Sequence, residues 1–179
     1  MQRNVVLNDQ KLIFQNLLEE TLREYASIPG KTRGDIIIGA HETVFSFRNA
    51  GRGMLAGEIA RAVLPVEDSI QPTEKISQRY SLEQYLSADV FELHSFHEKE
   101  CAILHLETGE RKLFSVYPDE SVPEGILVHI EWKAALEPEC ILTEKDVFHA
   151  LLKAFLLNFG LARLIWEPEV WFNSKRIRY

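Results

Sequence analysis

A chain of 179 residues, 46% hydrophobic and 26% charged, is long enough to bury one core without cross-links. Its formal charge of -7 repels phosphate, so the molecule as a whole has no electrostatic footprint for non-specific nucleic-acid binding. Two cysteines, Cys101 and Cys140, without CxxC spacing exclude a zinc ribbon and a disulfide scaffold, and fit a reducing, cytoplasmic setting. Met1 to Asn8 lacks the apolar run of an export signal. The most apolar window, Val147 to Trp166, carries His149, Lys153, Asn158, Gly160 and Arg163, whose insertion costs rule against a membrane span.

In chain order, Asn8-Asp9 opens a helix, with Asn8 as its cap. Phe14, Leu17, Leu18, Leu22 and Tyr25 then form one helical stripe until Pro29-Gly30. Asp35 to Gly39 contains three consecutive isoleucines, the composition of a strand buried on both faces, and Val44 to Phe47 pairs with it as a hairpin through a loop. Met54 to Leu64 has helical spacing, with Leu55, Ile59 and Ala62 on one side. Pro65 to Gln78 reads as a long loop, and Ser81-Leu82-Glu83-Gln84 as the capping box of a short helix ending near Leu86.

Four strands follow, Val90–Phe96, Ala102–Leu106, Arg111–Tyr117 and Ile126–Trp132, as an antiparallel meander. Thr143-Glu144-Lys145-Asp146 caps a strongly apolar helix running to Gly160. Trp166, Trp171 and Phe172 predict that the tail docks, and the basic run Lys175-Arg176-Ile177-Arg178 reads as a solvated end. The expected fold is α+β: an antiparallel five- to six-stranded sheet built as hairpin, helix and meander, flanked by an N-terminal amphipathic helix and a strong C-terminal one.

Three groups of residues could carry chemistry. Gly51, Gly53 and Gly57 lie between a strand and a helix, where backbone amides can cradle phosphate. The second parallel strand ending in an acid that a dinucleotide site requires is missing, so they read as turn and packing glycines. Asp119, Glu131 and Lys133 match the Asp...Glu-x-Lys pattern of a magnesium-dependent nuclease, in which the acids hold metal and the lysine positions water. His94, His105 and His129 are candidate metal ligands if strand alternation puts them on one face, although solvated or hydrogen-bonded histidines are the plainer reading.

The order helix, hairpin, helix, meander, with Leu17-Leu18-Glu19-Glu20 to Ile28-Pro29-Gly30 running into Gly34-Asp35-Ile36-Ile37-Ile38, resembles the roadblock and dynein light chain family over Leu12 to Trp132. The resemblance implies a roadblock-like domain over 1–136, with 137–179 as a helical extension packed on it or on a partner. It implies a homodimer with Leu55, Ile59, Ala62, Phe91 and Leu93 in its seam, no cofactor and no catalytic residues. The expected role is a non-enzymatic scaffold or regulator acting on a small GTPase or within a larger assembly. The nuclease pattern supplies the alternative, and nucleic acid is not an expected partner of the scaffold.

Overall fold

The computed structural model describes residues 8–27, 35–63, 88–107, 110–118, 122–157 and 168–178, with only the backbone for 26–27, 61–63 and 155–157. The elements are α1 (Gln10–Ser27), β1 (Ile36–Ala40), β2 (Val44–Arg48), α2 (Ala56–Val63), β3 (Val90–His97), β4 (Glu100–Glu107), β5 (Glu110–Val116), β6 (Gly125–Glu131), α3 (Glu144–Leu157), β7 (Val170–Phe172) and β8 (Lys175–Ile177). The expected loop at Pro65–Gln78, the short helix at Ser81–Leu86, and the stops at Pro29-Gly30 and Gly160 lie outside the described residues.

The fold is α+β, with one 8-stranded sheet in the order β5-β4-β3-β6-β2-β1-β7-β8. The sheet is mixed rather than antiparallel, because β7 runs parallel to β1. The fourth strand of the expected meander does not follow the third in space. Instead β6 crosses over to lie between β3 and β2. Burial explains the exchange: inward positions Ile126, Val128 and Ile130 of β6 are buried, which a central strand provides. By contrast β5 carries Glu110, Arg111 and Lys112, all exposed, and charge suits an edge.

Alternation separates two faces. Phe172, Ile38, Phe47, Val128, Leu93, Leu104 and Leu113 face one another in register across seven strands. This inward row meets Phe14 and Leu17 of α1, Ile59 of α2 and Leu151 of α3 in a single core. Phe14 and Phe47 sit with ring centroids 6.4 Å apart, tilted by 56°, a favourable geometry for an aromatic pair. The other face is open, so Ile37 is 44% exposed between buried Ile36 and Ile38. The isoleucine run is therefore half-buried, not covered on both sides.

Local chemistry sets the helix starts. Asp9, not Asn8, caps α1, since its Oδ1 accepts from the Lys11 and Leu12 amides at 2.9 and 3.3 Å. Asn8 instead accepts from the indole of Trp132 at 3.1 Å. Thr143 and Asp146 form the expected reciprocal cap of α3. Gln10, fully buried, ties the layers together: its Nε2 donates to His41 O at 2.7 Å and its Oε1 accepts from Leu142 N at 3.0 Å.

The expected docking of Trp171 and Phe172 takes the form of strand β7. Asn173 and Ser174, at φ 46° and 66°, turn the chain into β8, as two-residue hairpin loops with positive φ do. Asn173 also extends β1: Ala40 N donates to its Oδ1 at 2.9 Å and its Nδ2 donates to Ala40 O at 3.1 Å. The basic run is consequently strand and not solvated tail, with Lys175 bridging Glu144 at 2.8 Å, Arg176 bridging Glu169 at 2.9 Å and Ile177 buried.

Candidate functional site

The densest polar network in the described interior lies where β2 passes into α2, against the last turns of α1. Thr21 falls within the apolar stripe of α1 and is buried, as are Glu24 beside it and Asn49 just past β2. Buried polar groups have to be paired, and these are. Asn49 Nδ2 donates to Thr21 Oγ1 at 3.0 Å, while its Oδ1 accepts from Ile126 N at 3.0 Å and Gly51 N at 3.3 Å.

The loop from Ala50 to Leu55 is held through its amides. Ala50 N donates to Tyr25 Oη at 3.2 Å, Arg52 N to a Glu24 oxygen, Met54 N to Ser95 Oγ, and Leu55 N to Glu58 Oε2 at 2.9 Å. Burial pushes the Tyr25 phenol well above its ordinary range, the bond from Ala50 opposing and the Glu24 charge adding to the rise. Glycine is required here by close approach. A Cβ on Gly53 would stand 2.1 Å from the Phe96 carbonyl oxygen, and one on Gly51 2.9 Å from the Glu24 carboxylate. Opposite, Gly125 at φ 145° passes so close to Asn49 that a Cβ would lie 2.1 Å from its carbonyl.

Gly51 and Gly53 thus do the turn and packing work expected of them, while Gly57 lies in α2 with nothing near its Cβ position. Within this arrangement the loop is not an open anion cradle. The amides of Ala50, Gly51, Arg52, Met54 and Leu55 already meet the chain's own oxygens, two of which belong to carboxylates that repel phosphate. Sequence reading identified the glycines and missed Thr21, Glu24, Tyr25, Asn49 and Ser95. The available signal was a threonine inside an otherwise apolar helical stripe.

The structure brings the three candidate histidines to the open face of the sheet. Glu92 on β3 stands opposite His105 on β4 and His129 on β6, with His94 two residues along. Each imidazole faces a carboxylate: His105 Nδ1 lies 2.8 Å and His94 Nε2 3.3 Å from Glu92, and His129 Nε2 2.8 Å from Glu131. His105 Nε2 is also 3.4 Å from Glu107. Burial works to raise the Glu92 carboxyl, and the hydrogen bonds and charge of His105 and His94 outweigh it, leaving a net depression. Among the described residues no group of three or more His, Cys, Asp or Glu is placed to hold a metal ion.

Of the nuclease pattern, Glu131 is exposed and engaged by His129, and Lys133 N donates to Asp89 at 2.9 Å. Asp119 lies outside the described residues. Of the expected seam, Ile59, Phe91 and Leu93 are buried in the core of this chain, Leu55 is 42% exposed, and the side chain of Ala62 lies outside the described residues. Among the described residues, no helix is long and apolar enough to cross a membrane.

No family model and no curated protein matches the sequence. Solved structures do. The B-subunit of the DNA gyrase from Myxococcus xanthus aligns with a TM-score of 0.65 and 14% identity over 99% of this chain and 53% of that one. The ATPase region of Saccharomyces cerevisiae topoisomerase II aligns at 0.57 and 13%, over 94% of this chain and 48% of that one. This chain thus spans about half the length of each, and at such identity the likeness is one of fold.

This likeness to a gyrase B-subunit and a topoisomerase II ATPase region overturns the resemblance to the roadblock and dynein light chain family. With it goes the function read from the sequence, a non-enzymatic scaffold or GTPase regulator with a nuclease as the alternative. The linear order helix, hairpin, helix, meander is common to several folds. What separates them here is the insertion of β6 beside β2 and the parallel pairing of β7 with β1, neither of which a linear order contains. The chain has the fold of the aligned halves of the gyrase B-subunit and of the topoisomerase II ATPase region.

Proposed function

We propose that this chain is an adenine-nucleotide-binding module of the ATPase kind. The observation that carries the reading is the extent of the fold likeness, 99% of the chain on the gyrase B-subunit. The site we assign is the junction of β2, α2 and the last turns of α1. Support comes from its construction: a glycine loop held in close approach to Glu24 and Phe96 by buried polar side chains from α1, β3 and the end of β2, the kind of rigid support a binding site needs. Because the loop amides are engaged and Glu24 lies against them, the base and ribose are the part of the ligand this junction suits.

Isothermal titration of the full chain with ATP, ADP and adenosine in magnesium buffer tests the reading. Saturable binding of ATP, weakened at least about tenfold by Gly51→Ala with the circular dichroism spectrum retained, is the expected result; the added methyl presses on Glu24. Absence of saturable heat with all three ligands overturns it.

A further inference from the structure

The two edges of the sheet differ in how they are protected. One is β8, three residues long, where Lys175 and Arg176 are exposed and bridged to Glu144 and Glu169; a short, charged edge resists pairing with foreign strands. The other is β5, seven residues long. Its first half, Glu110 to Lys112, is charged, with Glu110 and Lys112 bridged at 3.0 Å. Its second half has no such protection. Phe114, Val116 and, just past the strand, Tyr117 are 47%, 41% and 71% exposed, and Leu113 is half-buried. Beyond β4, residues 113–117 meet no hydrogen-bond or ion-pair partner among the described residues.

Bare edges with apolar side chains accept further strands. Here the receptive stretch is bounded by the charge of Lys112 at one end and by Pro118 at the other, which lacks the N–H that a ladder needs. The five residues between them read alike in both directions: apolar, apolar, serine, apolar, apolar. An antiparallel copy centred on Ser115 therefore sets Phe114 opposite the partner's Val116, and Leu113 opposite the partner's Tyr117, each pair occurring twice. Phe114 and Val116 both lie on the open face, paired with Ile103 and Cys101 of β4, so the apolar pairs stay on one face across the junction. An axis at Phe114 would set Lys112 against Val116 instead, and one at Val116 would bring Pro118 into the ladder.

We infer that β5 pairs with β5 of a second copy of this chain, antiparallel about Ser115, joining two 8-stranded sheets into one across a twofold axis. The occupant is a copy because the edge is self-complementary, a symmetry that an unrelated peptide would not require. This surface is not the seam expected from the sequence, whose Ile59, Phe91 and Leu93 are buried within one chain. It is separate from the nucleotide junction and stands or falls independently of it. One strand from each side makes a small contact, and interfaces burying less than about 1,200 Å² are weak. A dissociation constant on the order of 10–100 μM is expected.

Sedimentation equilibrium of the full chain from about 1 to about 500 μM should show the mass rising from one chain to two. Phe114→Lys and Val116→Lys should each weaken association at least about tenfold, with the circular dichroism spectrum retained. Ile37→Lys alters an equally exposed residue of the same open face, away from the edge, and should leave association unchanged; this separates edge pairing from stacking of faces. In a Cys140→Ser background, oxidised Ser115→Cys should give a cross-linked dimer, since Cα atoms directly opposite in an antiparallel pair are about 5 Å apart. Tyr117→Cys, two pairs from the axis, should not. A monomer throughout the range, a dimer indifferent to both β5 lysine variants, a dimer lost in Ile37→Lys, or a cross-link as ready at 117 as at 115 overturns the inference.

Discussion

Replacing Asn49 by alanine tests whether the β2–α2 junction is held by a closed polar network. The side chain is 1% exposed and accepts from two backbone amides, Ile126 N and Gly51 N, while donating to Thr21. Truncation leaves two amides and a hydroxyl without that partner in the interior. A buried group left unsatisfied costs about 1–3 kcal/mol. Gly51 N, at 3.3 Å, makes the weaker bond and loses least, so the sum is about 3 kcal/mol. Urea unfolding followed by circular dichroism, with the denaturant slope unchanged, measures it. Thr21→Val removes the hydroxyl at constant shape, and the double variant should lose about 1 kcal/mol less than the sum of the singles. A loss below about 1 kcal/mol for Asn49→Ala, or strict additivity in the cycle, refutes the network.

Gly53→Ala and Gly57→Ala separate close approach from helix propensity. The first drives a methyl into the Phe96 carbonyl and should destabilise by about 3 kcal/mol or prevent folding; the second meets nothing within 4 Å and should stabilise α2 by about 0.5–1 kcal/mol. Thermal melts of the two variants read both signs. Glu92 supplies a pH test. Its carboxyl is depressed in the folded chain from an ordinary value of 4.5, so its stabilising contribution is present above that pH and is lost as pH falls through the folded value. Urea midpoints from pH 7 to pH 3 should fall less steeply in Glu92→Gln than in the parent chain, and parallel curves would contradict the assignment. The group is partly exposed, so the difference is expected to be a fraction of a kcal/mol.

Features fixed by neighbours in sequence were legible. The Thr143–Asp146 cap, the helical stripe of α1 and the strands β3, β4 and β5 are written in adjacent side chains, and all appear. Features fixed across the sheet were not. Ile37 is indistinguishable in sequence from Ile36 and Ile38, yet only its neighbours face the helices. The place of β6 depends on which strand can spare a solvated edge, a comparison between β5 and β6 that no single segment contains. At the junction, the glycines are visible as glycines, but their constraint comes from Phe96 on β3 and Glu24 on α1. Asn49 carries no local mark at all, since its partners are Thr21 and Ile126.

The Asn173 clamp on Ala40 bridges 133 residues of sequence, and that distance has a kinetic meaning. Strand β1 is synthesised early and paired on one side by β2 as soon as the hairpin closes, but its other edge waits for Val170–Ile177 to emerge. At about 5–20 residues per second, Ile36–Ala40 spends on the order of ten seconds as an unpaired, isoleucine-rich edge on the nascent chain. Such an edge recruits foreign strands. Asn173, whose amide mimics a further backbone step opposite Ala40, therefore acts late in biogenesis as a latch, and the interval before it engages is when the chain most needs protection from its own copies.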